Sequence, residues 1–156
     1  MRKTNYKGTK EEVRALSAYV KLVRASESMT SRIKSHVTDA GLSVSQFGVL
    51  EALFHLGPLS QAEIAKKVLK STGNITMVID NLEKRVLVKR ERKHDDRRFY
   101  SIQLTPEGRQ LIGSIFPRHA EMIVAEMRAL SIAEQEELGR LCRKLGLQKQ
   151  GSATGA

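Results

Sequence analysis

The chain has 156 residues, 40% of them hydrophobic, and 27 Lys and Arg against 17 Asp and Glu give it a formal net charge of +10 at neutral pH. That is apolar material for one compact domain, no apolar run approaches a membrane span, and the basic opening MRKTNYKGTK lacks the apolar stretch and cleavage site of a secretory signal. A cytoplasmic protein without membrane association is therefore expected, and the single cysteine, Cys142, cannot form the internal disulfide that an oxidising compartment favours.

The charge is unevenly spread. Residues 84–98 carry eight Lys/Arg against three acids, residues 1–42 carry nine against four, and residues 121–156 carry five of each. A basic stretch suits the phosphate backbone, whose neutralisation dominates sequence-independent affinity for DNA. Aromatic residues make up only 4% of the chain and Trp is absent, which argues against a base-stacking platform for single strands.

Taken in order, residues 1–10 read as a basic, flexible leader, and residues 11–147 as one domain. Over residues 11–39, Val13, Leu16, Val20, Val23, Ile33 and Val37 recur at helical spacing and predict one long helix, stopped by Gly41. Ser43 and Gln46 then cap a second helix, with Phe47, Leu50, Leu53 and Phe54 on its apolar face, ended by Gly57-Pro58. Ser60 and Glu63 form another capping box, opening a third helix through Val68 with Ile64, Ala65 and Val68 inward.

A fourth helix is expected over residues 72–85, because Ile75, Val78, Ile79, Leu82 and Val86 fall on one stripe. Gly73, Thr76, Met77, Asp80 and Lys84 point the other way, with Asn74 and Asn81 on the flank, so the first turn is small and polar on its free face. In a helix-turn-helix the start of the second helix meets base edges in the major groove. Leu87 and Val88 lead into the strand Lys89-Arg90-Glu91-Arg92-Lys93, and residues 99–104 return with period-two alternation, predicting a hairpin with the tip His94-Asp95-Asp96-Arg97-Arg98. Two arginines at a projecting tip suit the narrow, negative minor groove of A·T-rich duplex.

Thr105 and Pro106 cap and open a fifth helix, which Pro117 is expected to kink, and Ser131 with Glu134 caps a sixth through Leu138, Leu141, Cys142 and Leu145. Cys142 is expected to be a small buried hydrophobe there. The Gly-, Ser- and Ala-rich stretch 148–156 is expected to be a flexible tail. The fold class is thus mainly α with a small β-hairpin wing, a winged helix-turn-helix over residues 43–105 joined to long terminal helices.

Other chemistries find no footing. His36, His55, His94 and His119 fall at no metal-ligand spacing, and no nucleophile elbow, phosphate-cradling loop or apolar carboxylate pair is present. Neither a metal, nor another cofactor, nor an enzymatic activity is expected. The rival to a sequence-specific regulator is an architectural or RNA-binding winged helix using the same basic surface.

Two motifs sharpen this. The segment Ile79-Asp80-Asn81-Leu82-Glu83-Lys84-Arg85 followed by Leu87-Val88, and Asp95-Asp96-Arg97-Arg98 followed by Leu104-Thr105-x-x-Gly108, resemble the recognition-helix exit and the wing signature of the MarR family of bacterial transcriptional regulators. The resemblance in layout covers residues 11–147. It implies a homodimer with interlocked first and last helices, carrying two recognition helices and two wings to a pseudo-palindromic double-stranded DNA site, and a repressor released by a small-molecule effector. On that basis Ser71 caps the recognition helix and touches phosphate, Thr72, Gly73, Asn74, Thr76 and Met77 approach bases, and Arg97 enters the minor groove braced by Asp95. Lys89, Lys93 and Arg98 are expected on phosphates, Ser60, Gln61 and Lys84 complete the DNA-facing set, and His36, Phe47 and Phe116 are effector candidates. Relatives often carry Pro at position 73, a basic residue at 77 and Gly at 86. Met77 cannot make the bidentate guanine contact of an arginine, which moves the expected readout toward thymine methyls, Asn74 and shape. Val86 implies that the turn into the wing either avoids a positive φ or is strained.

Overall fold

The computed structural model describes residues 6–68, 72–93 and 96–147. Two compact units, Met1–Ala120 and Glu121–Ala156, divide the chain. The first holds α1 (Lys10–Asp39), α2 (Val44–Leu56), β1 (Leu59–Ser60), α3 (Gln61–Val68), α4 (Thr72–Lys84), β2 (Val88–Lys93), β3 (Asp96–Leu104) and most of α5 (Pro106–Met127). The second holds the end of α5 and all of α6 (Ile132–Gly146). No helix among the described residues is long and apolar enough to cross a membrane.

Helix boundaries follow their caps. Ser43 with Gln46, Ser60 with Glu63 and Ser131 with Glu134 each exchange the reciprocal side-chain to backbone bonds of a capping box, and Thr9 with Glu12 adds one that starts α1 at Lys10. At the other end of α1, the Gly41 amide donates to the Thr38 carbonyl and the Leu42 amide to the Val37 carbonyl, with Gly41 at φ 72°. This is a Schellman stop, closed by contact of the buried Val37 and Leu42.

The same stop ends α4, with an unsuitable residue at its centre. The Val86 amide donates to the Glu83 carbonyl at 2.9 Å, the Leu87 amide to the Leu82 carbonyl at 3.0 Å, and Val86 lies at φ 57°. The strained alternative holds. Nor does Val86 continue the inward stripe: it is 59% exposed, and Leu87 takes the buried place because the left-handed turn redirects the chain by one residue.

The core of the first unit gathers Val37 and Leu42, the α2 residues Phe47, Val49, Leu50 and Leu53, Ile64 and Ala65 of α3, Ile75, Ile79 and Leu82 of α4, then Leu87, Val88, Ile102 and Ile112. The sheet has three strands, order β1-β3-β2, all antiparallel. No periodicity announces β1, whose two residues are too few for one; Leu59 pairs with Ile102 and Ser60 with Ser101. β3 also begins at Asp96 rather than at residue 99, with a register shift at Arg92/Lys93. Arg97 and Arg98 therefore lie within the bounds of the strand, between the pairs Arg92–Tyr100 and Lys93–Asp96 where the register shifts.

Thr105 joins wing to α5. Its hydroxyl donates to the Val86 carbonyl at 2.6 Å and accepts from the Gly108 amide at 3.0 Å, while its amide donates to the Leu87 carbonyl. A Cβ at Gly108 would stand 1.9 Å from the Leu87 carbonyl oxygen, so glycine is required for this approach. In the second unit no residue of α6 is buried. Cys142 is exposed, contrary to expectation, because among the described residues of this unit nothing covers the Leu138, Leu141 and Leu145 stripe beside it.

Replacing Val86 by Gly removes the left-handed penalty of a β-branched residue, about 1–2 kcal/mol, against a smaller entropic loss. The expected result is a rise in thermal midpoint of about 2–4 °C, read by circular dichroism. An unchanged or lowered midpoint would show that the turn carries no strain.

Candidate nucleic-acid interface and ring cluster

α4 owes its position to its buried stripe, Ile75, Ile79 and Leu82, each with no exposed surface. Burying each such side chain stabilises by about 1.5–3 kcal/mol. The helix cannot rotate without exposing them, so its opposite face is fixed outward. On that face Met77 is 63% exposed, Asn74, Asn81 and Lys84 are exposed, and Thr76 is half-buried.

Thr76 is half-buried because Gln61, the first residue of α3, donates its amide Nε2–H to the Thr76 hydroxyl. Two residues expected at DNA thus tie the two helices of the motif together. Ser60, at the end of β1, is engaged by the Glu63 carboxylate. Thr72 and Gly73 form the first turn of α4, while Ser71 and Asp95 lie outside the described residues. Lys93 ends β2, and Arg97 and Arg98 stand on β3. Lys89 forms an ion pair with Glu91 two residues along the same strand, and both side chains are about half exposed.

Arg90, between Lys89 and Glu91, links the wing to α4 and is a residue that the sequence motifs do not single out. Its guanidinium bonds the carboxylates of Asp80 and Glu83 on α4, and its backbone amide donates to Glu83 at 3.3 Å. Burial works against its charge, but the hydrogen bonds and charges of the two acids outweigh this and hold its pKa above the usual arginine value. Spacing does offer a signal: Asp80 and Glu83 are one turn apart, and Arg90 is the inward-paired residue of the next strand, opposite Ile102. Arg92 lies over the Tyr100 ring and donates to its hydroxyl at 3.1 Å.

The effector candidates also come together. His36 near the end of α1, Phe47 of α2, and Phe116 and His119 of α5 form one ring cluster, with centroids of Phe47 and His119 at 4.5 Å and of His36 and His119 at 4.9 Å. His55 of α2 extends it, 4.5 Å from Phe116. With both rings neutral, the Ile33 carbonyl accepts from Nδ1–H of His36, which leaves Nε2 to accept from Nδ1–H of His119 at 3.0 Å. No sequence signal pairs residues 83 apart. Among the described residues no group of three or more His, Cys, Asp and Glu is placed to hold a metal ion.

Burial disfavours the charged form of the His119 ring, and charge on His36 adds to this, so its pKa lies below the ordinary histidine value. The unfolded chain then binds a proton at a higher pH than the native one does. Stability is full above the ordinary range near ~6.5, falls as pH drops through it, and levels off once native His119 is itself charged. Denaturant midpoints measured across this range should decline toward acid pH less in His119→Gln than in the parent protein; parallel curves would contradict the assignment.

Comparison with known proteins agrees with this geometry. A model of the MarR family matches residues 42–99. The HTH-type transcriptional regulator MhqR of Bacillus subtilis (strain 168) is 34% identical over 134 residues, covering 86% of this chain and 92% of MhqR. Among solved structures, Bordetella bronchiseptica BpsR, described for regulation of its DNA binding by 6-hydroxynicotinic acid, superposes with a TM-score of 0.75 at 27% identity, covering 83% of this chain and 98% of its own. Sco3205 from Streptomyces coelicolor, a MarR family regulator solved in complex with DNA, has a TM-score of 0.78 at 24% identity over 96% of each chain, a likeness of fold. With a winged helix-turn-helix in its first unit and a relative matched along nearly its whole length, the chain belongs to the MarR family of DNA-binding transcriptional regulators.

Proposed function

We propose that the protein is a cytoplasmic homodimeric repressor that binds a pseudo-palindromic operator and is released by a small-molecule effector. The observation that carries this is the outward face of α4, with Met77 and Asn74 exposed beside a basic hairpin, while the opposite stripe is locked in the core. Base readout falls to Thr72, Gly73, Asn74, Thr76 and Met77. Arg97, braced by Asp95, enters the minor groove, and Ser71, Lys84, Lys89, Lys93 and Arg98 serve the backbone, with Ser60 and Gln61 at its margin.

Dimerisation is supported by apolar residues left in solvent on the terminal helices, Leu16, Tyr19 and Val20 on α1 and Leu138, Leu141 and Leu145 on α6. A second copy covers such faces, and two-fold symmetry sets two half-sites about 34 Å apart. Effector release is supported by the ring cluster of His36, Phe47, Phe116 and His119, which sets two phenyl rings beside two imidazoles. It is supported too by BpsR, whose DNA binding is regulated by a small aromatic acid, 6-hydroxynicotinic acid.

Selecting bound sequences from a random duplex pool tests the proposal. At fixed salt the selected site should be preferred over random duplex and structured RNA by about 10³-fold or more. Arg97→Ala should weaken operator binding about tenfold, whereas Lys89→Ala, which removes one phosphate contact from an ammonium shared with Glu91, should weaken it by less. Equal affinity for all three nucleic acids would favour the architectural or RNA-binding alternative. An unaffected Arg97→Ala with a dead Lys89→Ala would overturn the minor-groove assignment.

A further inference from the structure

The outward face of α4 carries a feature at odds with DNA binding. Asp80 follows Met77 by one turn, Glu83 stands one turn further on, and their side chains are 46% and 40% exposed. Two carboxylates there would repel phosphates and cost affinity on the helix that approaches the duplex. Both are taken up by one side chain, Arg90, which reaches back from the wing strand and is itself only 23% exposed.

We propose that Arg90 is a positioning residue for operator recognition: it binds no nucleic acid, but masks the two carboxylates of α4 and fixes the angle between recognition helix and wing. This rests on the regulator function proposed above. The geometry distinguishes Arg90 from Lys89 and Arg92, the other hairpin cations whose side chains are described. Lys89 pairs within its own strand and Arg92 stacks within its own hairpin, so neither connects the wing to α4. Arg90 bonds two residues of α4 with two different guanidinium nitrogens, and the Glu83 carboxylate also accepts from the Arg90 amide, so side chain and backbone are both held.

A planar fork with nitrogens at fixed separation can hold two acids in one geometry, whereas an ammonium supplies charge without that fixed direction. Base edges and the minor groove are read by different elements, α4 and the β2–β3 hairpin. Sequence preference therefore depends on their relative placement in a way that plain phosphate attraction does not.

The test measures affinity of the full-length protein for its selected operator and for random duplex over several salt concentrations, with thermal midpoints recorded for each variant. The variants are Arg90→Gln, Arg90→Lys, and Asp80→Asn/Glu83→Gln combined with Arg90→Gln. Arg90→Gln should lose affinity for both duplexes and, in addition, about tenfold in the ratio between them. Arg90→Lys should retain random-duplex affinity while its ratio falls. The triple variant, free of unmasked carboxylates, should regain random-duplex affinity without regaining the ratio. A wild-type ratio in Arg90→Lys would overturn the proposal, as would an unchanged ratio in Arg90→Gln, since charge or general stability would then suffice. Should Arg90→Gln unfold, the Arg90→Lys ratio decides alone. A wild type with no salt-dependent binding to either duplex would instead remove the regulator function itself, and the role of Arg90 with it.

Discussion

Burial of one stripe of α4 governs much of the first unit. Ile75, Ile79 and Leu82 are fully enclosed, and truncating such a residue to Ala costs about 2–5 kcal/mol, a large part of the stability of a domain this size. A helix held by three such residues cannot turn about its axis. Its free face is consequently as well defined as its packed one, although Met77, Asn74 and Asn81 are exposed and add little to the core. Recognition geometry is inherited from hydrophobic packing.

The joint between α4 and the wing extends that constraint to the hairpin. A Schellman stop at Val86 turns the chain, Leu87 and Val88 bury themselves just beyond the turn, and the Thr105 hydroxyl bridges the Val86 carbonyl and the Gly108 amide. Leu42 closes α1 in the same way, but with Gly41 at the left-handed position. One fold uses the same stop twice, once with the residue that suits it and once with a β-branched residue held there by buried neighbours. Arg90 adds the polar tie over the surface of this joint, reaching the side of α4 that the core cannot hold.

Much of this layout is legible in the sequence because its determinants are local. Capping boxes at Ser43, Ser60 and Ser131 are read from four residues each, and apolar stripes need only a helical period. Features set by distant partners are not legible in that way. β1 exists because β3 lies beside it, and the early start of β3 depends on a register shift in β2. A helical period places Val86 on the inward stripe because it cannot register the left-handed turn that ends the helix. Apolar neighbours predict a buried Cys142, but an apolar stripe declares only that a cover exists, not that the same chain supplies it. In the candidate sites, the outward residues of α4 follow from the helical wheel, and His36, Phe47 and Phe116 from the family resemblance. The contact of His36 with His119 and the reach of Arg90 to Asp80 and Glu83 are tertiary facts.

In the proposed function a rigidly mounted helix and a basic hairpin together meet the backbone of double-stranded DNA. The most direct test of this is the dependence of affinity on salt for a defined operator duplex. Several lysines and arginines displacing counterions should give a linear fall of log affinity with log salt concentration, at a slope of about −0.9 for each phosphate neutralised. A steep negative slope is the predicted result; affinity that stays constant as sodium chloride is raised would contradict it.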